Sequence, residues 1–211
     1  MRWLALSVAT GLMLLSYSAQ AEFFGLMSGR SADLSKLPDT SVEFGAVLGD
    51  LGDADYQYFG LRYNYRIDPG MMVYGDVGQT EIEDGDGLAF GFGFFYVVDG
   101  VLENTDLALK GSFHRLKTEE SGDSRDDKYQ GLAIEAVFSG RSPFGAKKNL
   151  NWYANIGMHR ISVDFGGSDD SETELGFGGG IIVPTDSGQY FAGIDLIDEM
   201  IFGAGYRYYW Q

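Results

Sequence analysis

The chain has 211 residues with 15 basic and 31 acidic side chains, a formal charge of −16, and no cysteine. So acidic a surface repels phosphate and argues against nucleic-acid binding, while the lack of cysteine fits an oxidising compartment without requiring one. Thirty-one glycines and as many aromatics, against four prolines, do not match the usage of an ordinary soluble enzyme.

Met1 and Arg2 give a short positive start, and Trp3 to Leu15 an apolar run broken only by Ser7, Thr10 and Gly11. Ala19 and Ala21 then form an A-x-A cleavage site ahead of Glu22, which predicts an export signal over 1–21 that is removed. The run is too short to cross a bilayer of about 30 Å as a permanent helix, and no cysteine precedes the cut to carry a lipid anchor. Residues 22–41 form a segment of their own, in which 31–37 could make a short helical turn.

From residue 42 to the end the chain alternates with the two-residue period of β-strands. Val42, Phe44, Ala46 and Leu48 share one face of the first strand. Phe59, Leu61, Tyr63, Tyr65 and Ile67 do so on the second, opposite Arg62, Asn64 and Arg66. Asp68-Pro69-Gly70 predicts a tight turn. The third strand, 71–80, carries Asp76 on its polar face, and the fourth lines up Leu88, Phe90, Phe92, Phe94 and Tyr96 against Ala89, Gly91 and Gly93. After Asp99-Gly100, the fifth sets Leu107, Leu109 and Phe113 against Asp106, Lys110, Ser112 and His114, and the sixth sets Leu132, Ile134 and Phe138 against Glu135. Ser142 to Gly145 breaks the chain. The seventh opposes Trp152, Ile156 and Met158 to Asn155 and His159, the eighth Leu175, Phe177 and Ile181 to Glu174 and three glycines, and the ninth Ile194 and Leu196 to Asp195. The tenth ends on Phe202, Ala204, Tyr206, Tyr208 and Trp210, with Arg207 on the other face.

The reading is all-β: a transmembrane antiparallel up-and-down β-barrel of ten strands over 42–211, or of eight if a hairpin near 42–67 lies outside the wall. An even count returns both termini to one side. Charge agrees with that topology. The hairpin ends 50–55, 81–87, 117–128, 166–173 and 197–200 carry −14 together, whereas the turns 68–70, 99–105, 140–149 and 184–189 carry −1.

The export signal, the alternating glycine–aromatic strands and the terminal Gly203-Ala-Gly-Tyr-Arg-Tyr-Tyr-Trp210 resemble the small outer-membrane barrels of Gram-negative bacteria. The group meant includes the membrane domain of outer membrane protein A and the outer membrane protein X type. The resemblance covers nearly all of 22–211 and implies periplasmic termini, with the segment 22–41 lying in the periplasm or tucked into the lumen. It further implies that Tyr206, Tyr208 and Trp210 are read by the barrel-assembly machinery, although Gln211 follows the closing aromatic. Outer-membrane lipids and lipopolysaccharide are the expected surroundings, and a monomer the expected state. No cofactor is called for.

Inside such a barrel, Glu43, Arg62, Arg66, Asp76, Asp106, Lys110, Glu135, Glu174, Asp195 and Arg207 would face one another, with His114 and His159 among them. Buried charges must pair, so the favoured reading is a plugged lumen and a structural or surface-interaction role. Closure of the barrel lets Glu43 bridge Arg62 and Arg207. A narrow passive pore is the alternative. A Ser112–His114–Glu135 set raises a third class, a lipid A-modifying enzyme, but no catalytic assignment follows from it. The acidic ends Glu81, Glu83, Asp84 and Asp86, and Asp169 with Asp170, could bind divalent cations. Their spacing does not match an EF-hand loop, and a solvated hairpin tip explains them as well.

Overall fold

A computed structural model of the chain describes residues 25–27, 29–35, 37–51, 54–82, 85–100, 104–120, 126–141, 150–165, 168–197 and 199–210. The export signal, Glu83, Asp84, the break at 142–145 and Gln211 lie outside the described residues.

Ten strands follow one another: β1 (Thr40–Leu51), β2 (Ala54–Asp68), β3 (Met71–Ile82), β4 (Gly85–Val98), β5 (Asp106–Glu120), β6 (Asp126–Arg141), β7 (Asn151–Phe165), β8 (Ser168–Pro184), β9 (Gly188–Ile197) and β10 (Glu199–Tyr209). Each pairs antiparallel with the next, and β1 pairs with β10, closing the barrel. The eight-strand alternative is thereby set aside, since β1 and β2 are in continuous register from Thr40↔Tyr65 to Leu51↔Ala54.

Alternation sorts the side chains as the period demands. Phe59, Leu61, Leu88, Phe92, Ile134, Met158 and Leu175 stand outward, each between 54% and 67% exposed. Apolar surface repeated on every side of a closed wall is stable only against lipid. The inward positions hold small or polar residues, and here glycine has a steric purpose. A Cβ at Gly60 would lie 2.2 Å from the Tyr58 hydroxyl, and one at Gly78 2.5 Å from the same ring. The tyrosine lies flat along the wall because both neighbours lack side chains.

Two expectations change. The polar stretches read as hairpin ends opposite the termini are mostly strand: β7 and β8 stay paired as far as Phe165↔Ser168, and β3 and β4 as far as Ile82↔Gly85. Polar residues suit a strand that has water on its outer face, so polarity alone did not mark where pairing ends. Among the described residues, the helical turn expected over 31–37 reduces to a hydrogen bond from the Leu37 amide to the Leu34 carbonyl, 3.1 Å.

Candidate functional site

The described part of the N-terminal segment runs inside the barrel. Near the termini, Ala32 and Leu34 pack with Met72, Phe95, Ala108 and Val137. Toward the opposite end, Leu26 and Met27 join Val47, Tyr56, Tyr58, Leu116, Ile161 and Ile201 in a second buried apolar layer. Between these layers lies the charged centre, so the lumen is stacked apolar, ionic, apolar.

Glu43 is the hub of that centre. Its Oε1 accepts from Arg207 Nε at 2.7 Å, from Asn64 Nδ2 at 2.8 Å and from Arg30 Nη2, while Arg62 Nη1 lies 3.9 Å from Oε2. Sheet register makes this possible, because Glu43 stands directly opposite Arg62 on β2 and Arg207 on β10. Arg207 also donates to Gln189 Oε1 at 3.0 Å and to the Gly29 carbonyl at 3.1 Å. Arg62 turns mainly the other way. It donates to Asp76 Oδ2 through Nε at 3.0 Å and Nη2 at 2.7 Å, and to the carbonyls of Met27 and Leu26 at 3.2 and 2.5 Å. The wall arginines therefore bind the threaded segment through its backbone as well as the wall carboxylates.

A second cluster lies across the lumen. Lys110 pairs with Glu135, its register partner on β6. Asn155 Nδ2 donates to Glu135 Oε1 at 2.8 Å and to Asp195 Oδ1 at 3.2 Å. Among the described residues the buried charged side chains are Arg30, Arg62, Lys110 and Arg207 against Glu43, Asp76, Glu135 and Asp195. The two signs balance only because Arg30 enters from the segment.

Three members of the expected inward set lie at the margins instead. Arg66 sits at the mouth near the termini, donating to Asp39 Oδ1 at 2.6 Å and to the Leu34 carbonyl at 3.0 Å, and so straps the segment where it enters. Asp106 is exposed, and Glu174 is half-buried opposite His159. The Ser112–His114–Glu135 set is not assembled. Among the described residues, His114 Nε2 lies 3.3 Å from Asp76 Oδ2, Ser112 Oγ makes no hydrogen bond, and Glu135 belongs to Lys110. A nucleophile and its base must be within hydrogen-bonding reach, and these are not.

Of the acidic ends, Glu81 and Asp86 are exposed partners across the β3–β4 hairpin, and Asp169 and Asp170 fall in β8. Tyr206, Tyr208 and Trp210 face outward, with the Tyr206 ring 4.7 Å from Tyr190 and 5.7 Å from Phe44.

Sequence reasoning missed Arg30 and Gln189. Arg30 had one available signal: the inward set read from the strands carried two more acids than bases, and a closed lumen has to draw the missing cation from somewhere.

No protein-family model and no curated protein matches the sequence. Among solved structures, the translocator domain of the autotransporter NalP from Neisseria meningitidis is similar at 11% identity and a TM-score of 0.41, covering 98% of this chain and 96% of that one. Neisserial surface protein A is similar at 16% identity and a TM-score of 0.35, over 82% and 97%. The attachment invasion locus protein Ail of Yersinia pestis is similar at 18% identity and a TM-score of 0.31, over 82% and 99%.

Proposed function

We propose that the protein is an integral barrel of a Gram-negative outer membrane, with both termini in the periplasm and a structural or surface-interaction role. Its lumen is closed by its own N-terminal segment. The observation that carries this reading is Arg30, a residue of the segment, seated on the carboxylate that also binds the first-to-last-strand arginine. A pore needs a continuous wet path, whereas this lumen stacks two buried apolar layers around a charge-balanced one. In the same reading the terminal strand with Tyr206, Tyr208 and Trp210 engages the assembly machinery, lipids and lipopolysaccharide surround a monomer, and no reaction is catalysed.

The chain lacks cysteine, so single thiols can report on the seal. In the refolded barrel, a membrane-impermeant maleimide should label Ser35→Cys, at an exposed position near the mouth, and leave Ala32→Cys, at a buried one, unmodified. Equal labelling of both would favour the narrow-pore alternative.

A further inference from the structure

The strands do not end level on the side away from the termini. β7 and β8 have 15 and 17 residues, while β9 and β10 have 10 and 11. β8 pairs with β7 up to Ser168, but with β9 only from Phe177 onward. β9 ends at Ile197, whose Cγ1 would lie 2.7 Å from a Cβ at Gly176. From Ser168 to Leu175, β8 therefore has β7 on one side and, among the described residues, no strand on the other. That step is about 23 Å long at ~3.3 Å per residue. On the other flank of the short hairpin, β1 pairs with β10 as far as Gly49↔Ile201 and outruns it only by Asp50 and Leu51.

Exposure follows the step. Ile161 on β7 is buried, whereas Glu172, its register partner on the same face, is exposed. Ser171 and Thr173 are exposed on the opposite face, and Leu175 is the last apolar residue of β8 there. The stretch holds four acids, Asp169, Asp170, Glu172 and Glu174, and no base. β7 sets Arg160 against the outward face, where Nη2 donates to Ser171 Oγ at 3.1 Å, but Glu172 stands opposite the apolar Ile161. An open strand edge offers backbone donors and acceptors to another chain. Two copies of this edge paired with each other would set acid against acid, which destabilises a sheet. A basic strand meets no such penalty. From β8 across the short hairpin to β1 is three strand spacings, about 14 Å, which leaves room for a strand beside β8.

We propose that β8 from Asp169 to Glu174 takes up an extended basic segment of a partner protein as an added antiparallel strand, in line with β9. In this mode main-chain hydrogen bonds supply the affinity and alternate side chains the selectivity. Lysines or arginines at every second position of the segment lie beside Glu172 and Glu174, on the face toward the barrel axis. Small or β-branched residues between them suit Ser171 and Thr173 on the outer face. The proposal rests on the surface-interaction reading and gives it a partner class, an unfolded basic stretch of chain.

The test uses the full barrel refolded into phosphatidylcholine nanodiscs, with fluorescence anisotropy of a short peptide that alternates lysine and threonine. Two controls are the same peptide methylated at every backbone nitrogen and one with glutamate for lysine. The lysine peptide should bind and should slow hydrogen exchange across 169–175, and neither control should do so. Glu172→Gln should weaken binding about threefold, the worth of a cross-strand charge pair. Lengthening the β9–β10 hairpin at its tip until it covers β8 should abolish binding, whereas the same insertion at the tip of the β3–β4 hairpin should leave it unchanged. No binding of the lysine peptide, equal binding of the methylated one, or binding that survives the longer β9–β10 hairpin would overturn the proposal. Dimers by native mass spectrometry, with 169–175 protected before peptide is added, would also overturn it in favour of a second copy. A barrel that binds the peptide but is cut in intact cells only within 140–149 would instead refute the surface reading and leave the edge site standing.

Discussion

Arg207 on the last strand donates through Nε to Glu43 on the first at 2.7 Å, with both side chains fully buried. The seam that closes the barrel is thus also the hub of its ionic core. Arg62, on the other side of Glu43, is 3.9 Å away and spends its short contacts on Asp76 and the Leu26 carbonyl. A double-mutant cycle should rank the two. Glu43→Gln or Arg207→Met alone leaves a buried charge without its main partner, costing on the order of 3–5 kcal/mol. Urea unfolding in lipid vesicles should show a larger coupling energy for Glu43 with Arg207 than for Glu43 with Arg62. The reverse order would mean that the register does not govern the network.

Tyr58 covers Gly60 and Gly78, and a Cβ at Gly60 would meet its ring within 2.5 Å. Gly60→Ala should therefore destabilise the barrel by about 1–3 kcal/mol through overpacking. Shrinking the covering side chain with Tyr58→Val should make the same glycine change nearly neutral, although Tyr58→Val alone leaves a cavity and is destabilising. Additive losses in the unfolding free energy would show that the contact is not the cause.

Orientation has a separate test in intact cells. With the termini in the periplasm, the hairpin joining β5 to β6 faces outward, and protease should cut within 117–128 before it cuts within 140–149. Cleavage confined to 140–149 would reverse the topology.

Much of the wall was legible because two-residue alternation writes the lipid face directly into the chain. Phe59, Leu61 and Tyr63 on β2, and Phe90, Phe92 and Phe94 on β4, are all exposed. Strand ends were less legible, since Asp169, Asp170 and Glu172 look like loop residues although β7 and β8 remain paired there. The possible bridge from Arg62 through Glu43 to Arg207 could be inferred from closure alone. Its uneven division could not, because which carboxylate Arg62 prefers depends on the β2–β3 register that sets Asp76 opposite it. Arg30 was invisible for another reason. It lies among serines and glycines with no strand or helix period, and only the charge balance of a closed lumen gives it a place.

The central claim is that the lumen is sealed by residues of the N-terminal segment, and planar-bilayer conductance tests it most directly. The intact folded chain should pass no steady current, and a variant lacking residues 22–37 should open long-lived channels. Steady, ohmic channels from the intact chain, with Arg30 and Glu43 in place, would contradict the account.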